Sequence, residues 1–398
     1  MNLINTTFAH GNGPYSRCVE WAIEVNNVRE ERGLGRLGII VPLIYPDRQR
    51  EILKIEIASN VAQDFLDKHP DEILFDEVQG ILLSQLMFSG SNYSENLTKL
   101  HQKYYDIESK IQKHLSGTGK LKTFTGKSVK VDFKQIILQL GLNNRVQTNL
   151  PSQFYSTAGA GPFDEILEKS NEENEIKIDR MLIEKVLPIA KRMMENQEII
   201  FSNYPGVFSY DNARKLRQNE MLTPPFIHPR KKDNTKIAKG VYLIVTGIDG
   251  IRQSNFYNAV KGLGMKIYTQ PHSIKDLPKE IEVMPLELDK INNPNILVIY
   301  ARSGWSSVWT AHLTGKGFMT PKFLAEDDPE IFFNEKSILK LHIGAVVNHD
   351  VIAALDEALK LSKKTFGFNR MILEKYGTLD GIRFAAEKVV DALAKKGI

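Results

Sequence analysis

The sequence predicts an α/β protein of two facing Rossmann-like, doubly wound domains. Three observations carry that expectation. Short apolar runs that read as buried strands alternate with longer helical stretches in both halves of the chain, the pattern of βαβ units with parallel sheets. Glycine-containing loops follow several of those runs, where strand hands over to helix. A stretch rich in proline and polar residues, 204–236, interrupts the alternation with Pro224-Pro225, Pro229 and the basic cluster Arg230–Lys232. At 398 residues the chain can support two cores. Domains are expected at 1–203 and 237–398, joined by a linker at 204–236, with the last helix able to pack back on the first domain.

The elements follow in order. Leu3–Ala9 reads as a strand, broken by the glycines of His10–Gly13. Pro14 suits the first turn of a helix carrying Val19, Trp21, Ile23 and Val25. Gly33 and Gly35 end that helix, and Leu37–Ile44 is a second buried strand. From Glu51 to His114 the pattern is mainly helical, with apolar clusters at Ile73–Val78 and Ile81–Met87. The lysine-rich tract Lys99–Lys134 reads as a solvated helix, then a hairpin over Leu121–Phe133 turning at Gly126. Next come the Gln153–Thr157 run, the loop Gly159-Ala160-Gly161-Pro162, a helix over Ile178–Met194 kinked at Pro188, and Ile199–Ser202 as the last strand of this half.

The second half restarts with the strand Gly240–Thr246, the loop Gly247–Gly250 and a helix toward Leu263. Strands are expected at Met265–Tyr268, Ile281–Pro285 and Ile296–Tyr300. Helices are expected near Ser306–Leu313, after Asp328, and over Val351–Leu361 and Asp380–Lys395.

Composition excludes several classes. Fifty-two basic against 48 acidic side chains leave a net charge of +4, too little to point to nucleic acid. The single cysteine, Cys18, forbids an internal disulfide and fits a reducing, cytoplasmic setting. The run from Leu3 lacks a basic flank and meets Gly11 early, so no signal peptide is expected. Runs such as Gly38–Tyr45 and Ile81–Met87 fall short of the roughly 18 residues a membrane span needs. The sequons at Asn5, Asn92 and Asn96 then read as chance. The basic tract suits a phosphorylated acceptor, a peripheral contact with an anionic membrane, or only a solvated helix face.

Open α/β sheets bind ligands beyond the carboxyl ends of their strands. Four loops stand there: His10–Arg17, Gly247–Arg252, Arg302–Ser307 and Glu326–Asn334. In Arg302-Ser303-Gly304-Trp305-Ser306-Ser307, glycine permits close backbone approach, serines donate hydroxyl bonds, and a helix start attracts anions. A plain helix cap competes with that reading. Gly247–Gly250 with Arg252 is a second such loop, where arginine balances phosphate charge; a simple strand-to-helix turn competes.

Other motifs fail on spacing. Gly11-x-Gly13-x-x-Ser16 lacks the third glycine of a dinucleotide site, and Asp47 lies too far along. Gly126-Lys127-Ser128 lacks the earlier glycine of a P-loop, whose place Leu121 takes. No histidine or cysteine spacing suits a metal. Cys18 reads as packing. Tyr15, Trp305 and Trp309 are candidates for stacking on a sugar or base, with core packing the competing role, above all for Trp309.

The segment Ile296–Val347 resembles the donor-binding half of GT-B glycosyltransferases, the group of MurG-like and UDP-glycosyltransferase-like enzymes. Their pattern is a strand, a small-residue turn opening a helix, a Gly-x-Pro segment, and an acidic loop ending in asparagine. Here it reads Ile296–Tyr300, Ser303–Ser307, Gly315-Lys316-Gly317, Pro321, and Asp327-Asp328-Pro329-Glu330 through Asn334. The His10-Gly11-Asn12-Gly13 loop and the two-domain layout extend the similarity coarsely across the chain.

The resemblance implies a hexosyl-type transferase. It would move a sugar from a nucleotide-diphosphate donor to a hydroxyl acceptor, with inversion and with no metal or separate cofactor. The first domain would take the acceptor and the second the donor. Ser303, Gly304, Ser306 and Ser307 would meet the diphosphate, helped by Gly247 and Arg252. Asp328 and Glu330 would hold donor-sugar hydroxyls. His10, flanked by Gly11, Gly13 and Arg17, would be the base. Two departures matter: Thr310 stands near the acid that holds the nucleotide ribose, and Gly317 replaces the Gly-x-Pro proline. A nucleotide-sugar epimerase and a non-catalytic nucleotide-sugar binder are the alternatives.

Overall fold

The structure, a computed structural model, describes all residues except 1, 9–11, 45–48, 59–62, 89–91, 144 and 158–160. The side chains of residues 12, 54–58, 63 and 64 are likewise outside the description. Among the described residues the first half opens with β1 (Leu3–Phe8), α1 (Asn12–Glu31) and β2 (Gly38–Pro42). Next come α2 (Gln49–Ala58), α3 (Gln63–Lys68), β3 (Ile73–Asp76), α4 (Glu77–Ser84) and α5 (Tyr93–Leu115). The hairpin β4 (Thr118–Thr123) and β5 (Ser128–Asp132) leads to β6 (Ile136–Leu142) and β7 (Gln153–Ser156). Then come α6 (Phe163–Glu172), α7 (Arg180–Glu195), which runs through Pro188, β8 (Ile199–Asn203) and β9 (Glu220–Thr223).

These strands form one sheet in the order β5-β4-β3-β2-β1-β6-β7-β8-β9, parallel except for the pairings of β4 with β3 and β5. Alternation along β2 shows how it is buried on both sides. Ile40 faces a core with α5, α6 and α7, whereas Ile39 and Val41 face α1. Ile73–Asp76, within a region expected to be mainly helical, is a strand, because a short apolar run fits either period and pairing with β2 decides it. Ile199–Asn203 is not the last strand: β9 pairs beyond it, inside the stretch 204–236.

The second half holds β10 (Gly240–Leu243), α8 (Gly250–Gly262), β11 (Lys266–Thr269), β12 (Met284–Pro285) and β13 (Ile296–Tyr300). It continues through α9 (Trp305–Leu313), β14 (Gly317–Pro321), α10 (Pro329–Leu341), β15 (Ala345–Val347) and α11 (Val351–Ser362). The sheet is parallel, in the order β12-β11-β10-β13-β14-β15. Phe256 and Val260 of α8 and Leu355 of α11 cover one face, while Trp305 and Trp309 of α9 and Ile338 of α10 cover the other.

The chain then leaves this sheet through α12 (Thr365–Tyr376) and returns to the first half as α13 (Gly381–Lys395). Ile382, Ala385, Ala386, Val389 and Leu393 of α13 share a core with Trp21 and Val25 of α1. Arg383 bonds Glu24 at 2.9 Å and pairs with Glu31. Two sheets and a returning helix thus place the carboxyl ends of both parallel strand sets at the junction of the halves.

Candidate functional site

Each sheet has one point where strand order reverses. In the first it lies between β1 and β6, and in the second between β10 and β13. A crevice opens at such a switch point because the loops leave toward opposite faces of the sheet. In one half the chain beyond β6 enters at Asn143 and Arg145, and residues 9–11, after β1, lie outside the described residues. In the other half the loops are 244–250 and 301–304.

In the second half these loops touch. Gly247 has φ +77°, and a Cβ there would lie 2.6 Å from Cδ of Arg302. Arg302 packs across that space and ion-pairs with Asp327, joining the acidic turn to the switch point. Asp249 caps α8 by accepting from the Arg252 backbone N–H at 2.9 Å, and its other oxygen is 3.3 Å from Arg252 Nε. Burial raises the Asp327 carboxyl above its ordinary value, opposed by Arg302 and, more weakly, by Arg252. Three of the four sequence-predicted loops therefore meet.

Gly304 caps α9 with no side-chain bond; its own N–H donates to the Arg302 carbonyl at 2.7 Å and the Ser307 N–H to the Gly304 carbonyl at 3.0 Å, which leaves the amides of Trp305 and Ser306 for other partners. Ser306 and Ser307 are half-buried on that turn. Ser303 is different: it is fully buried, and its hydroxyl donates to the Ile331 carbonyl at 3.2 Å. Its own carbonyl accepts from Asn334 Nδ2 at 2.9 Å. Ser303 thus ties the β13 loop to α10 rather than presenting a hydroxyl to ligand. Thr310 donates to the Ser306 carbonyl at 2.7 Å, so its hydroxyl is spent inside the helix.

The acidic turn is held by its own carboxylates. Asp327 accepts from the Asp328 N–H at 2.8 Å, and Asp328 caps α10 by accepting from the Glu330 N–H at 3.0 Å. Glu330 accepts from Asn334 Nδ2 at 3.4 Å. Burial, with Asp328 beside it, pushes the Glu330 carboxyl up to about 7 against the opposing charges of Arg302 and Arg145. This turn also docks on the first half. Tyr93 N–H donates to the Glu326 carbonyl at 3.4 Å, and Lys177 N–H to the Ala325 carbonyl at 2.8 Å. Lys336 pairs with Glu173 at 2.5 Å, and the Phe333 ring meets Phe208 at 5.5 Å and Tyr210 at 6.1 Å.

On the first half, His10 and Gly11 lie outside the described residues, as does Asp47. Gly13 sits in the first turn of α1 with nothing within 4 Å of a built Cβ. Arg17, expected beside His10 in a ligand-facing loop, is instead buried in an ion pair with Glu20. Tyr15 is buried with its ring 5.0 Å from Phe8, and Trp305 stacks on Trp309 at 5.0 Å inside the second core. All three aromatic candidates are therefore core residues. Cys18 is buried, and burial pushes its thiol up to about 12, in keeping with a packing role. Gly126-Lys127-Ser128 is a hairpin turn running into β5.

Sequence reasoning missed Arg145, Tyr93 and Tyr155. Burial raises both phenols, and both feel the charge of Arg145 in their own half and of Glu330 across the junction. The available signal was the polar run Asn143-Asn144-Arg145 directly after the apolar Ile136–Leu142. Among the described residues, no group of three or more His, Cys, Asp or Glu could hold a metal ion, and no helix is long and apolar enough to cross a membrane.

No protein-family model and no curated protein sequence matches the chain. Solved structures do. A UDP-glucosyltransferase from Polygonum tinctorium, capable of glucosylating indoxyl and 3,4-dichloroaniline, superposes with a TM-score of 0.61 at 12% identity, over 98% of this chain and 97% of that one. Apo UGT2 from Phytolacca americana gives 0.56 at 11% identity, over 100% and 99%. The glycosyltransferase of kitacinnamycin gives 0.53 at 11% identity, over 98% of each chain. Two parallel sheets with facing switch points, matched over nearly the whole chain, give this protein the GT-B fold.

Proposed function

We propose that the protein is a glycosyltransferase that moves a sugar from a nucleotide-diphosphate donor to a hydroxyl acceptor. The observation that carries this reading is the meeting of Gly247, Arg302, the open first turn of α9 and the acidic turn at one switch point. The donor diphosphate would lie against the amides of Trp305 and Ser306 and the hydroxyls of Ser306 and Ser307, where the helix start favours negative charge. Arg252 would offset the charge that develops on the departing phosphate. Asp328 and Glu330 would accept or donate bonds to donor-sugar hydroxyls, Glu330 doing either near neutral pH.

His10, which follows β1 in the sequence, would take the acceptor hydroxyl proton. The acceptor oxygen then bonds to the anomeric carbon as the carbon–oxygen bond to the diphosphate breaks, and the electron pair leaves with the diphosphate. Attack from the opposite face inverts the centre. Helix dipole and arginine supply the charge stabilisation, so no metal is required in this scheme. A single, buried cysteine supports a reducing, cytoplasmic setting.

The test is a thermal-shift screen against UDP, GDP, dTDP, ADP, CMP, their sugar conjugates and NAD(P), since selective binding raises the midpoint by mass action. A shift with one nucleotide and its sugar supports the reading. A shift with NAD(P) alone overturns it. His10→Ala should keep donor affinity and lose transfer; unchanged transfer removes the base assignment. Thr310 favours a second reading, a non-catalytic nucleotide-sugar binder, because no carboxylate stands there and its hydroxyl is already bonded. Donor binding with neither transfer nor donor hydrolysis would support that reading instead.

A further inference from the structure

The switch point of the first sheet carries a cation that the proposed transfer does not use. Arg145 lies just beyond β6, the strand beside β1. It is 6% exposed. Its guanidinium carbon sits 3.9 Å from the ring centroid of Phe163 and 5.2 Å from that of Phe88. Nη1 donates to the Asn143 carbonyl at 2.8 Å, and Asn143 takes the left-handed backbone that folds the chain back, with φ 48°. Nε is buried with no hydrogen-bond partner.

Among the described residues no carboxylate is within ion-pair distance of Arg145. Buried Arg17 pairs with Glu20, and the half-buried Arg214 and Arg217 pair with Glu165 and Glu220 and with Asp164. Arg29 also lacks such a carboxylate, but it donates to the Gly35 carbonyl at the end of α1, where the helix dipole favours a cation. Glu330 is the acid that faces Arg145 across the junction, yet its bond is to Asn334, and burial keeps it partly protonated near neutrality. Tyr93 and Tyr155, also near, are neutral phenols. A desolvated guanidinium without a counter-ion is unfavourable, and ring contacts offset that only in part. An anion offered to the Nε edge would make the charge-assisted bonds now missing.

We infer that Arg145 binds an anionic oxygen group, carboxylate or phosphate, so that the acceptor is an acidic hydroxyl compound. The word acceptor rests on the transferase reading; the anion site itself does not. Arg145 would then discriminate against the neutral ester of an acid it binds.

The experiment is calorimetric titration of the full chain with 4-hydroxybenzoate, 4-hydroxycinnamate, phenyl phosphate and methyl 4-hydroxybenzoate. At least one anion should bind tenfold or more tighter than the ester, weakening as salt rises. Arg145→Gln should abolish that preference, and Arg145→Lys should keep part of it. Whether carboxylates or the phosphate win identifies the group. Equal binding of ester and acid, no binding of any anion to wild type, or unchanged anion binding in Arg145→Gln overturns the inference. The first two outcomes need no variant, so a folding defect cannot hide the answer. Nucleotide sugars that bind while anions do not would sink this inference alone. Anions that bind through Arg145 while no nucleotide sugar binds would sink the transferase reading and leave the anion site.

Discussion

Arg302 lies across Gly247 so closely that a Cβ on the glycine would meet Cδ of the arginine at 2.6 Å. The same arginine ion-pairs with Asp327, so one side chain links the two switch-point loops to the acidic turn. The left-handed backbone of Gly247 makes the contact possible, and it is a conformation that L side chains rarely take.

Gly247→Ala should therefore strain the turn and displace Arg302 together. We expect a loss of about 1–3 kcal/mol in unfolding free energy, read from urea denaturation. Nucleotide binding, where the screen finds it, should weaken tenfold or more. Full retention of both would show that the Gly247–Arg302 contact does not shape the site.

Glu330 gives the stability a pH dependence of definite sign. Its carboxyl is pushed up to about 7 in the folded chain, so the folded state holds a proton that the unfolded state has already released. Stability contributed by this group is full below the ordinary carboxylate range and is lost as pH rises toward and through 7. His228 shifts stability in the same direction: burial lowers it, but the hydrogen bond and charge of Asp380 outweigh burial and raise it. Subtracting Glu330→Gln isolates the carboxyl. The variant should flatten the profile and gain about 1–2 kcal/mol over wild type at pH 8. Parallel profiles would place Glu330 in a more solvated setting than the geometry gives it.

Arg214 closes the return from β8 to β9. It bonds Glu165 at 2.7 and 2.8 Å and Glu220 at 2.8 and 3.0 Å, and Ser202 also donates to Glu220. Arg214→Ala leaves these two carboxylates facing one another with little water to screen them. We expect a loss of about 3–5 kcal/mol on chemical denaturation, with Arg214→Lys intermediate. A change under about 1 kcal/mol, the size of an exposed ion pair, would mean that the 204–219 segment does not pin the edge of the sheet.

Local pattern made much of this molecule legible. β13, α9 and α10 lie where a buried run, a glycine turn and an Asp-Pro helix start put them, because strand burial and capping are decided within a few residues. Where the pattern was short it failed. Ile73–Asp76 is a strand because β2 lies beside it, and Glu220–Thr223 is one because β8 does. Aromatic residues near the loops suggested ligand stacking, yet Tyr15, Trp305 and Trp309 are fully enclosed by their own cores. Sequence spacing shows that an indole is near a turn; it does not show which way the helix turns it.

The chain by itself determined two α/β halves, the glycine turns after their strands and the acidic cap of α10, since each rests on the conformational preference of neighbouring residues. Tertiary structure decided which polar groups remain for a ligand. Ser303 was removed from that set by the carbonyl of Ile331, 28 residues away, and Arg17 by Glu20. Arg145 entered it only because β6 pairs with β1, bringing a buried cation to the switch point with no carboxylate in ion-pair distance among the described residues. A side chain becomes available for chemistry by what it fails to pair with once folded, and that depends on neighbours the local sequence does not contain.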